Sequence, residues 1–288
     1  MIQTEQIDEV YKFRLARSLF GRGLYFTTAY WVDGMMIDTG CAHTVRELIN
    51  ALKRHPVDLV VNTHSHEDHV AGNAALQKLY GAEVLAHPLA LPVIENLDRR
   101  RPLHPYRRLL WGYPVPSKGK AIGEIVETRH HHFQVIHTPG HSPDHICLYE
   151  PAKGWLFSGD LFVGGRDRAL RTDYNIWQMI KSLKKLAPLD ISLLFPGSGS
   201  VRRKPIPEII AKIEYLEHLG KQVLSLYNAR MGYAQIRRKL FGAEMPIAYL
   251  TLGHFSGKNL IRSYVEDTPA PGVWGADQTL RNTISYFP

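Results

Sequence analysis

The sequence has little cysteine and no long apolar run, and each shortage excludes a class of protein. Only two cysteines, Cys41 and Cys147, occur among the 288 residues, which argues against a disulfide framework and is typical of a reducing compartment. No apolar run approaches the roughly 18 residues that a membrane-spanning helix needs. The first twenty residues carry interspersed charge and lack the apolar segment of a secretory signal peptide. We therefore expect a cytoplasmic protein without a membrane partner.

The composition is that of a globular protein with a basic surface. Hydrophobic residues make up 44% of the chain, which is enough to bury a large core. The formal net charge of +8 favours anionic partners without naming one. Part of this charge lies in residues 98–108 (DRRRPLHPYRR), which include Arg107 and Arg108. Because Pro102 and Pro105 interrupt a regular helix, we predict a basic loop there.

Short apolar runs alternate with helical patterns from residue 23 to about residue 197, and this alternation predicts a mixed α/β core. Apolar residues at helical spacing predict helices over residues 43–54, 70–80 and 175–186. Runs of apolar, β-branched and aromatic residues predict strands over residues 24–31, 57–61, 82–86, 133–137, 145–150, 155–157 and 191–195.

The pattern changes at Ile206, after which apolar residues recur three or four positions apart and mark one helix face. We therefore predict a core of residues 1–204 followed by a helical appendage over residues 205–267. The tail of residues 268–288 is rich in proline and glycine and shows no clear element.

The stretch NTHSHEDHVAGN, residues 62–73, packs four potential metal ligands into six positions. His64 and His66, two apart in an extended chain, can point the same way and share one ion. Asp68 and His69 follow at the start of a predicted helix, where the helix dipole favours a carboxylate. A predicted buried strand precedes the cluster, and open α/β sheets bind ligands at the carboxyl ends of strands. Four ligands in so short a turn indicate two ions side by side.

Two further groups of ligand-type residues follow later predicted strands. HTPGHSPDH contains His141 and His145, and SGD ends at Asp160. Three strand ends with such residues favour a metal site over a surface histidine cluster. His145, four residues after His141, is a candidate for orienting a ligand from outside the coordination sphere.

The spacing HxHxDH, followed about 70 residues later by PGHS and then by SGD, resembles the metallo-β-lactamase-fold superfamily and, within it, the branch of glyoxalase II and related hydrolases. The resemblance covers about residues 20–200, including IDTG at residues 37–40. It implies a four-layer αββα sandwich with metals at one edge, here followed by the C-terminal helical appendage. It also implies a first ion held by His64, His66 and His141, a second ion held by Asp68 and His69, and Asp160 as the bridge.

One ligand of this pattern is missing. The superfamily presents a further histidine after the last core strand, in a context such as PGHG, whereas this sequence reads FPGSGS and places Ser198 there. A hydroxyl is a poor ligand beside imidazole, so we expect one tight ion and a second, weaker one. His254, in LTLGHFSGKN, could reach in to supply the missing donor, although a lone histidine is more often a structural or surface residue. We expect one or two zinc ions, with iron and manganese as alternatives.

The resemblance implies metal-assisted hydrolysis of a small-molecule ester, thioester or lactone. A bound cation lowers the pKa of its water from about 15.7 towards 7, and we expect Asp68 to accept the proton of the nucleophilic water. Two other functions stay open. One is a nuclease or phosphodiesterase acting on RNA or DNA, for which the arginines would suit phosphate. The other is a mononuclear iron dioxygenase of the same fold. The oligomeric state also stays open.

Overall fold

The computed structural model describes residues 1–96 and 103–268. None of the helices in these ranges combines the length and the hydrophobicity that crossing a membrane requires.

The strands, in chain order, are β1 (Ile2–Ile7), β2 (Val10–Leu15), β3 (Ser18–Leu19), β4 (Arg22–Gly23), β5 (Thr27–Val32), β6 (Met35–Ile37), β7 (Leu59–Val61), β8 (Glu83–Ala86), β9 (Lys120–Ala121), β10 (Ile125–Glu127), β11 (His132–His137), β12 (Ile146–Glu150), β13 (Trp155–Gly159), β14 (Leu170–Arg171), β15 (Leu193–Pro196), β16 (Arg202–Arg203) and β17 (Phe255–Ser256).

Two mixed sheets contain most of these strands. The first has the order β1-β2-β5-β6-β7-β8-β9, and its strands from β6 to β9 are parallel. The second has the order β10-β11-β12-β13-β15-β16, and β13 and β15 are parallel. Ligands bind beyond the carboxyl ends of such strands, and β6, β7, β13 and β15 lead directly to the residues of the metal centre described below.

Nine helices lie in the described ranges, and most of them pack on the outer face of one of the sheets. They are α1 (Val45–Ala51), α2 (Asn73–Tyr80), α3 (Leu91–Glu95), α4 (Pro105–Leu110), α5 (Ile176–Leu186), α6 (Ile206–Asn228), α7 (Tyr233–Phe241), α8 (Pro246–Leu250) and α9 (Gly257–Glu266). Short 3-10 turns, Ala42–Thr44 and Leu52–Arg54, flank α1.

Three apolar clusters hold the layers together. Between the two sheets, Val61 of the first sheet packs in one cluster with Phe157 of the second. Leu76 of α2 belongs to the cluster on the outer face of the first sheet. Ile180 of α5 and Leu216 of α6 belong to the cluster on the outer face of the second. Each fully buried side chain of this size contributes about 1.5–3 kcal/mol. The result is the four-layer αββα sandwich with a helical C-terminal region that the sequence predicts.

Every predicted strand and helix is present, with ends that differ by a few residues. The prediction of a basic loop over residues 98–108 is wrong where the structure describes it, because α4 begins at Pro105. Proline is tolerated at the first helical position, since its missing N–H would have no partner in the helix there. Arg99, Arg100 and Arg101 lie outside the described residues.

The predicted helical region of residues 205–267 contains α6 to α9. Side chains of α6, α7 and α9 belong to the same apolar cluster as α5 and strands of the second sheet. The boundary after residue 204 stays a prediction. The predicted tail lies outside the described residues from residue 269 onward.

Candidate metal centre

The turn between β7 and α2 carries the first group of ligand-type residues. His64, His66, Asp68 and His69 are all buried in it. The turn is closed by hydrogen bonds of Asn62, whose side chain accepts from the amide of Asn73 at 2.7 Å and donates to the backbone oxygen of His69 at 3.3 Å. The imidazoles and the carboxylate therefore lie on a fixed backbone at the carboxyl end of a central strand.

Three imidazoles converge on one point. His64 Nε2 lies 2.8 Å from His66 Nδ1, and His141 Nε2 lies 2.9 Å from the same atom. The nitrogens of a tetrahedral zinc site, at about 2.0–2.1 Å from the ion, are themselves about 3.3 Å apart. The observed nitrogens are slightly closer together than that. Their arrangement therefore fits one ion with three nitrogen donors.

A second group shares His64 with the first and adds His69 and Asp160. Asp160 Oδ2 lies 3.5 Å from His69 Nε2 and also 3.5 Å from His141 Nε2. This carboxylate oxygen thus stands between the two groups, where a bridging ligand would lie. Asp68 Oδ2 is 3.8 Å from His69 Nε2, on the side of the second group.

Asp38, which follows β6, orients two of the imidazoles. Its Oδ2 accepts a hydrogen bond from His69 Nδ1 at 2.7 Å and another from the Thr63 hydroxyl at 2.7 Å. Because that hydroxyl proton is given to Asp38, Thr63 Oγ1 accepts from His64 Nδ1, 3.0 Å away. Both histidines therefore engage their protein partners through Nδ1 and turn Nε2 toward the centre, as ligands oriented by such partners do in metal sites.

His145 acts on Asp160 rather than on a metal position. Its Nε2 accepts the backbone N–H of Asp160 at 3.1 Å, and its Nδ1 lies 2.8 Å from the hydroxyl of Thr138. Both ring nitrogens are thereby engaged. A separate contact joins the two ligand loops, since Ser65 N donates to Asp144 Oδ2 at 2.7 Å.

The donor set fits a divalent cation. Asp160 Oδ1 is a buried oxygen that makes no hydrogen bond to any residue in the described ranges, and such an atom is costly unless a cation compensates it. A Cβ at position 197 would collide with the same oxygen, so Gly197 leaves the space around it open. Imidazole and carboxylate together suit zinc, iron and manganese.

The pKa shifts follow from burial and from the facing carboxylates. Burial holds the pKa of His141 well below its usual range and lowers that of His145 to about 4, so both are neutral. Burial also raises the pKa of Asp68 to about 7. For His69 the lowering by burial is outweighed by Asp38, Asp160 and Asp68, and its pKa lies well above the usual value. The second position therefore attracts positive charge strongly.

Ser198 directly follows Gly197, at which a Cβ would collide with Asp160 Oδ1 and lie 3.0 Å from His69 Cε1. The Ser198 side chain interacts with the hydroxyl of Tyr25, whose pKa is raised mainly by burial. His254 belongs to neither ligand group found among the described residues. Its Nδ1 lies 2.9 Å from the Tyr106 hydroxyl. The structure thus gives no support to His254 as the replacement donor.

Arg107 is not a surface cation. It is buried and donates through Nε to Glu67 Oε1 at 2.6 Å and through Nη2 to Glu67 Oε2. Glu67 is fully buried inside the ligand turn. The charge of Arg107 is therefore neutralised within the protein, and the residue ties α4 to the turn.

Tyr174 lies at the centre although nothing in the sequence singled it out. Its hydroxyl oxygen is 3.3 Å from His141 Nε2, and its ring centroid is 4.4 Å from that of His141. A lone tyrosine before a helix carries no ligand signal. The only sequence clue is its position between SGD and the predicted helix of residues 175–186.

A family model described as the metallo-beta-lactamase superfamily matches residues 22–198. The hydroxyacylglutathione hydrolase of Pseudomonas aeruginosa strain LESB58 is 34% identical over 158 residues, which are 54% of this chain and 52% of that protein. The beta-lactamase-like protein 2 homolog of Drosophila melanogaster is 27% identical over 174 residues, 60% of this chain and 56% of that protein. The chain thus spans about half the length of these curated relatives.

Solved structures show the same fold. The metallo-beta-lactamase family protein TTHA1429 of Thermus thermophilus is 17% identical, with a TM-score of 0.63 over 91% of this chain and 94% of that chain. TTHA1623, crystallised in a di-iron-bound form, is 29% identical, with a TM-score of 0.53 over 64% of this chain and 93% of that chain.

Proposed function

This chain belongs to the metallo-β-lactamase superfamily, and from that membership and the geometry of its metal centre we propose that it is a metal-dependent hydrolase. One observation carries the proposal. Asp160 Oδ2 lies 3.5 Å from the facing nitrogens of both His69 and His141, so one carboxylate joins two sets of donors. Two adjacent cations would suit activation of a water as the nucleophile and stabilisation of the negative charge that develops on the substrate oxygen.

The ligand roles follow the two groups. His64, His66 and His141 would hold the first ion, and Asp68 and His69 would hold the second. Asp160 would bridge the two positions. We propose zinc as the ion in both, because imidazole and carboxylate at these separations suit its tetrahedral shell. Iron and manganese are the alternatives, and the di-iron form of TTHA1623 supports testing iron first among them.

A divalent cation at this centre supplies a water of lowered pKa and polarises the substrate carbonyl. The protein side chains accept the proton and orient the ligands. The carboxylate of Asp68, 3.8 Å from His69 Nε2 beside the second group, is the residue that we propose accepts the proton of that water. Asp38 fixes the orientation of His69, and His145 fixes the backbone at Asp160.

We propose a small-molecule ester, thioester or lactone as the substrate class. The support is the 34% identity to a hydroxyacylglutathione hydrolase, a relative named for an acylated thiol substrate, over about half of each chain. The nuclease alternative has lost one of its supports, because Arg107 is neutralised by Glu67. The mononuclear iron dioxygenase is disfavoured by the second donor group around His69 and Asp160.

The test is a substrate panel on protein stripped with chelator and reloaded separately with zinc, iron and manganese. The panel contains one thioester, one ester, one lactone and one phosphodiester, and oxygen uptake is followed in parallel with a persulfide. We expect the acyl substrates to be hydrolysed only after reloading. Cleavage confined to the phosphodiester, or oxygen uptake with iron and no hydrolysis, would assign one of the two alternatives instead.

A further inference from the structure

Tyr174 presents its hydroxyl to the atom of His141 that faces the first ion position. The Tyr174 oxygen is 3.3 Å from His141 Nε2, which itself lies 2.9 Å from His66 Nδ1 and 3.5 Å from Asp160 Oδ2. The Tyr174 ring lies nearly parallel to the His66 ring at 6.2 Å. The hydroxyl therefore stands at the edge of the converging donors.

The position of Tyr174 is fixed from both sides. The guanidinium of Arg171 lies 5.0 Å from the ring centroid, and Arg171 is itself held by a two-point ion pair with Asp173. The backbone N–H of Asn175 donates to Gly140 O at 2.8 Å. Because Gly140 immediately precedes His141, the tyrosine and the ligand are tied to the same piece of backbone.

Metal binding changes what the Tyr174 hydroxyl can donate to. His141 Nε2 has one lone pair, and an ion held by His64, His66 and His141 would engage it. The hydroxyl proton then needs another acceptor, since a polar group in such a site is costly without one. Besides the Asp160 carboxylate, which lies on the same nitrogen of His141, an oxygen of a bound substrate would be an acceptor within reach of a hydroxyl at this edge of the centre. A phenol is a strong enough donor for this task and carries no charge that would repel the cation.

We propose that the Tyr174 hydroxyl donates a hydrogen bond to the substrate carbonyl oxygen and is a catalytic residue of this centre. The inference rests on the proposed hydrolase function. The water oxygen bonds to the carbonyl carbon, its proton passes to Asp68, and the carbonyl π pair moves onto the carbonyl oxygen. That pair then re-forms the double bond while the bond to the alcohol or thiol breaks, and the leaving atom takes the proton from Asp68. Tyr174 stabilises the oxygen while it is negative.

The test compares Tyr174→Phe with Tyr149→Phe. Phenylalanine at 174 keeps the ring against His141 and Arg171 and removes only the hydroxyl. Tyr149 is a matched control, because its hydroxyl donates to Asp190 O on another part of the second sheet. For the substrate that the wild type cleaves, loss of one donor to a developing oxyanion should lower kcat on the order of 10²-fold. KM should change little, since the hydrogen bond strengthens only as charge develops.

A second readout needs no turnover. Inorganic phosphate, a tetrahedral anion, is titrated calorimetrically into zinc-loaded protein, and zinc is counted in the same samples. Tyr174→Phe should weaken phosphate binding about tenfold with unchanged zinc content, and Tyr149→Phe should match the wild type in both.

The outcomes separate the two proposals. Equal kcat and equal phosphate affinity in Tyr174→Phe and wild type overturn the role of the hydroxyl. Loss of zinc from Tyr174→Phe also overturns it, because the residue would then serve the metal rather than the substrate. A wild type that cleaves none of the acyl substrates contradicts the proposed function, and the phosphate comparison still decides whether Tyr174 contacts a bound oxyanion. A wild type that also fails to bind phosphate contradicts both.

Discussion

Ser198 is the residue at which this chain departs from the ligand pattern of its superfamily. The second donor group keeps His69, Asp160 and the nearby Asp68, while Ser198 offers only a neutral hydroxyl, which is a poor ligand beside imidazole. We predict a tight first ion and a second ion of lower affinity. Even loss of an outer partner costs about 10–100-fold in metal affinity, so Ser198→His should tighten the second ion by at least about tenfold.

Equilibrium dialysis of metal against stripped wild type and Ser198→His measures this directly. Ser200→His, at an exposed serine two residues after the half-buried Ser198, is the control for a nonspecific effect of added histidine. Two ions of equal affinity in the wild type would show that Ser198, water or another residue already completes the site.

His69 and Asp68 hold protons that an ion at the second position must displace. The carboxylates of Asp38 and Asp160 raise the pKa of His69 well above its usual value against the lowering by burial, so it is protonated at pH 7 before an ion binds. Asp68, with a pKa of about 7, is then about half protonated. The second equivalent should therefore release more than one proton at pH 7, and its affinity should fall as the pH falls.

Calorimetric titrations of zinc in two buffers with different heats of ionisation give the number of protons released by each equivalent. We expect the first equivalent to release fewer protons than the second, because the pKa of His141 is held well below its usual range by burial. A second equivalent that releases no proton would contradict the assignment of His69 as its ligand.

At the residue scale, the sequence predicted the site residues that belong to a motif. It did not predict those whose role depends on a partner far away in the sequence. The ligand spacing pointed to all six proposed ligands, and the structure brings five of them together in the two groups with Asp68 beside them. The stretch IDTG drew attention to Asp38 without indicating its role, and Tyr174 was missed, because their partners His69 and His141 lie 31 and 33 positions away. No local pattern encodes such a contact.

At the scale of elements, strand ends and short edge strands were the hardest features to predict. The strand β1 has four exposed residues of six, so its sequence shows no buried face, and its structure comes from pairing with β2. The helix α2 begins at Asn73 rather than near residue 70. The residues before it stay in the turn because Gly72 N donates to Thr39 Oγ1 at 3.0 Å. This contact joins residues 33 positions apart, so no local sequence pattern predicts it.

The helix α4 is attached to the metal turn by the ion pair of Arg107 with Glu67. Both side chains are fully buried, so removing one partner leaves an uncompensated charge and costs about 3–5 kcal/mol. We predict that Arg107→Met lowers the free energy of unfolding by about that amount. The double variant Arg107→Met with Glu67→Leu should regain most of the loss, because no charge is then left buried.

Urea unfolding of these variants provides the measurement. Arg108→Met, a change at the exposed neighbour on the same helix, is the control and should stay within about 0.5 kcal/mol of the wild type. If Arg107→Met proves as stable as Arg108→Met, the ion pair does not hold α4 to the turn.

At the scale of the whole molecule, the four layers make the C-terminal helices part of the sandwich. Leu216 of α6 is fully buried in the cluster that also contains α5 and the second sheet, whereas Leu252, in the same C-terminal region, is 88% exposed. We predict that Leu216→Ala costs about 2–5 kcal/mol and that Leu252→Ala costs less than about 0.5 kcal/mol.

Thermal unfolding followed by near-ultraviolet and far-ultraviolet circular dichroism tests whether the stability lost in Leu216→Ala is lost by the sandwich and the helical region together. If the helical region and the sandwich form one cooperative unit, Leu216→Ala should shift a single transition seen by both signals. A separate early transition, with the main one unmoved, would support residues 205–267 as an independent domain. The sequence predicted the layers because apolar periodicity is local, but it could not show that two regions share one core.

Stepwise addition of zinc to stripped protein, with bound metal and the rate of thioester hydrolysis read in the same samples, tests the proposed metal-dependent hydrolase most directly. The rate should be negligible without zinc and should rise with the bound equivalents. His66→Ala and His141→Ala should each remove binding of the first equivalent and the activity, with the circular dichroism spectrum unchanged. A stripped protein that keeps its full rate, or a His66→Ala variant with unchanged zinc content and rate, would contradict the metal centre built around His64, His66 and His141.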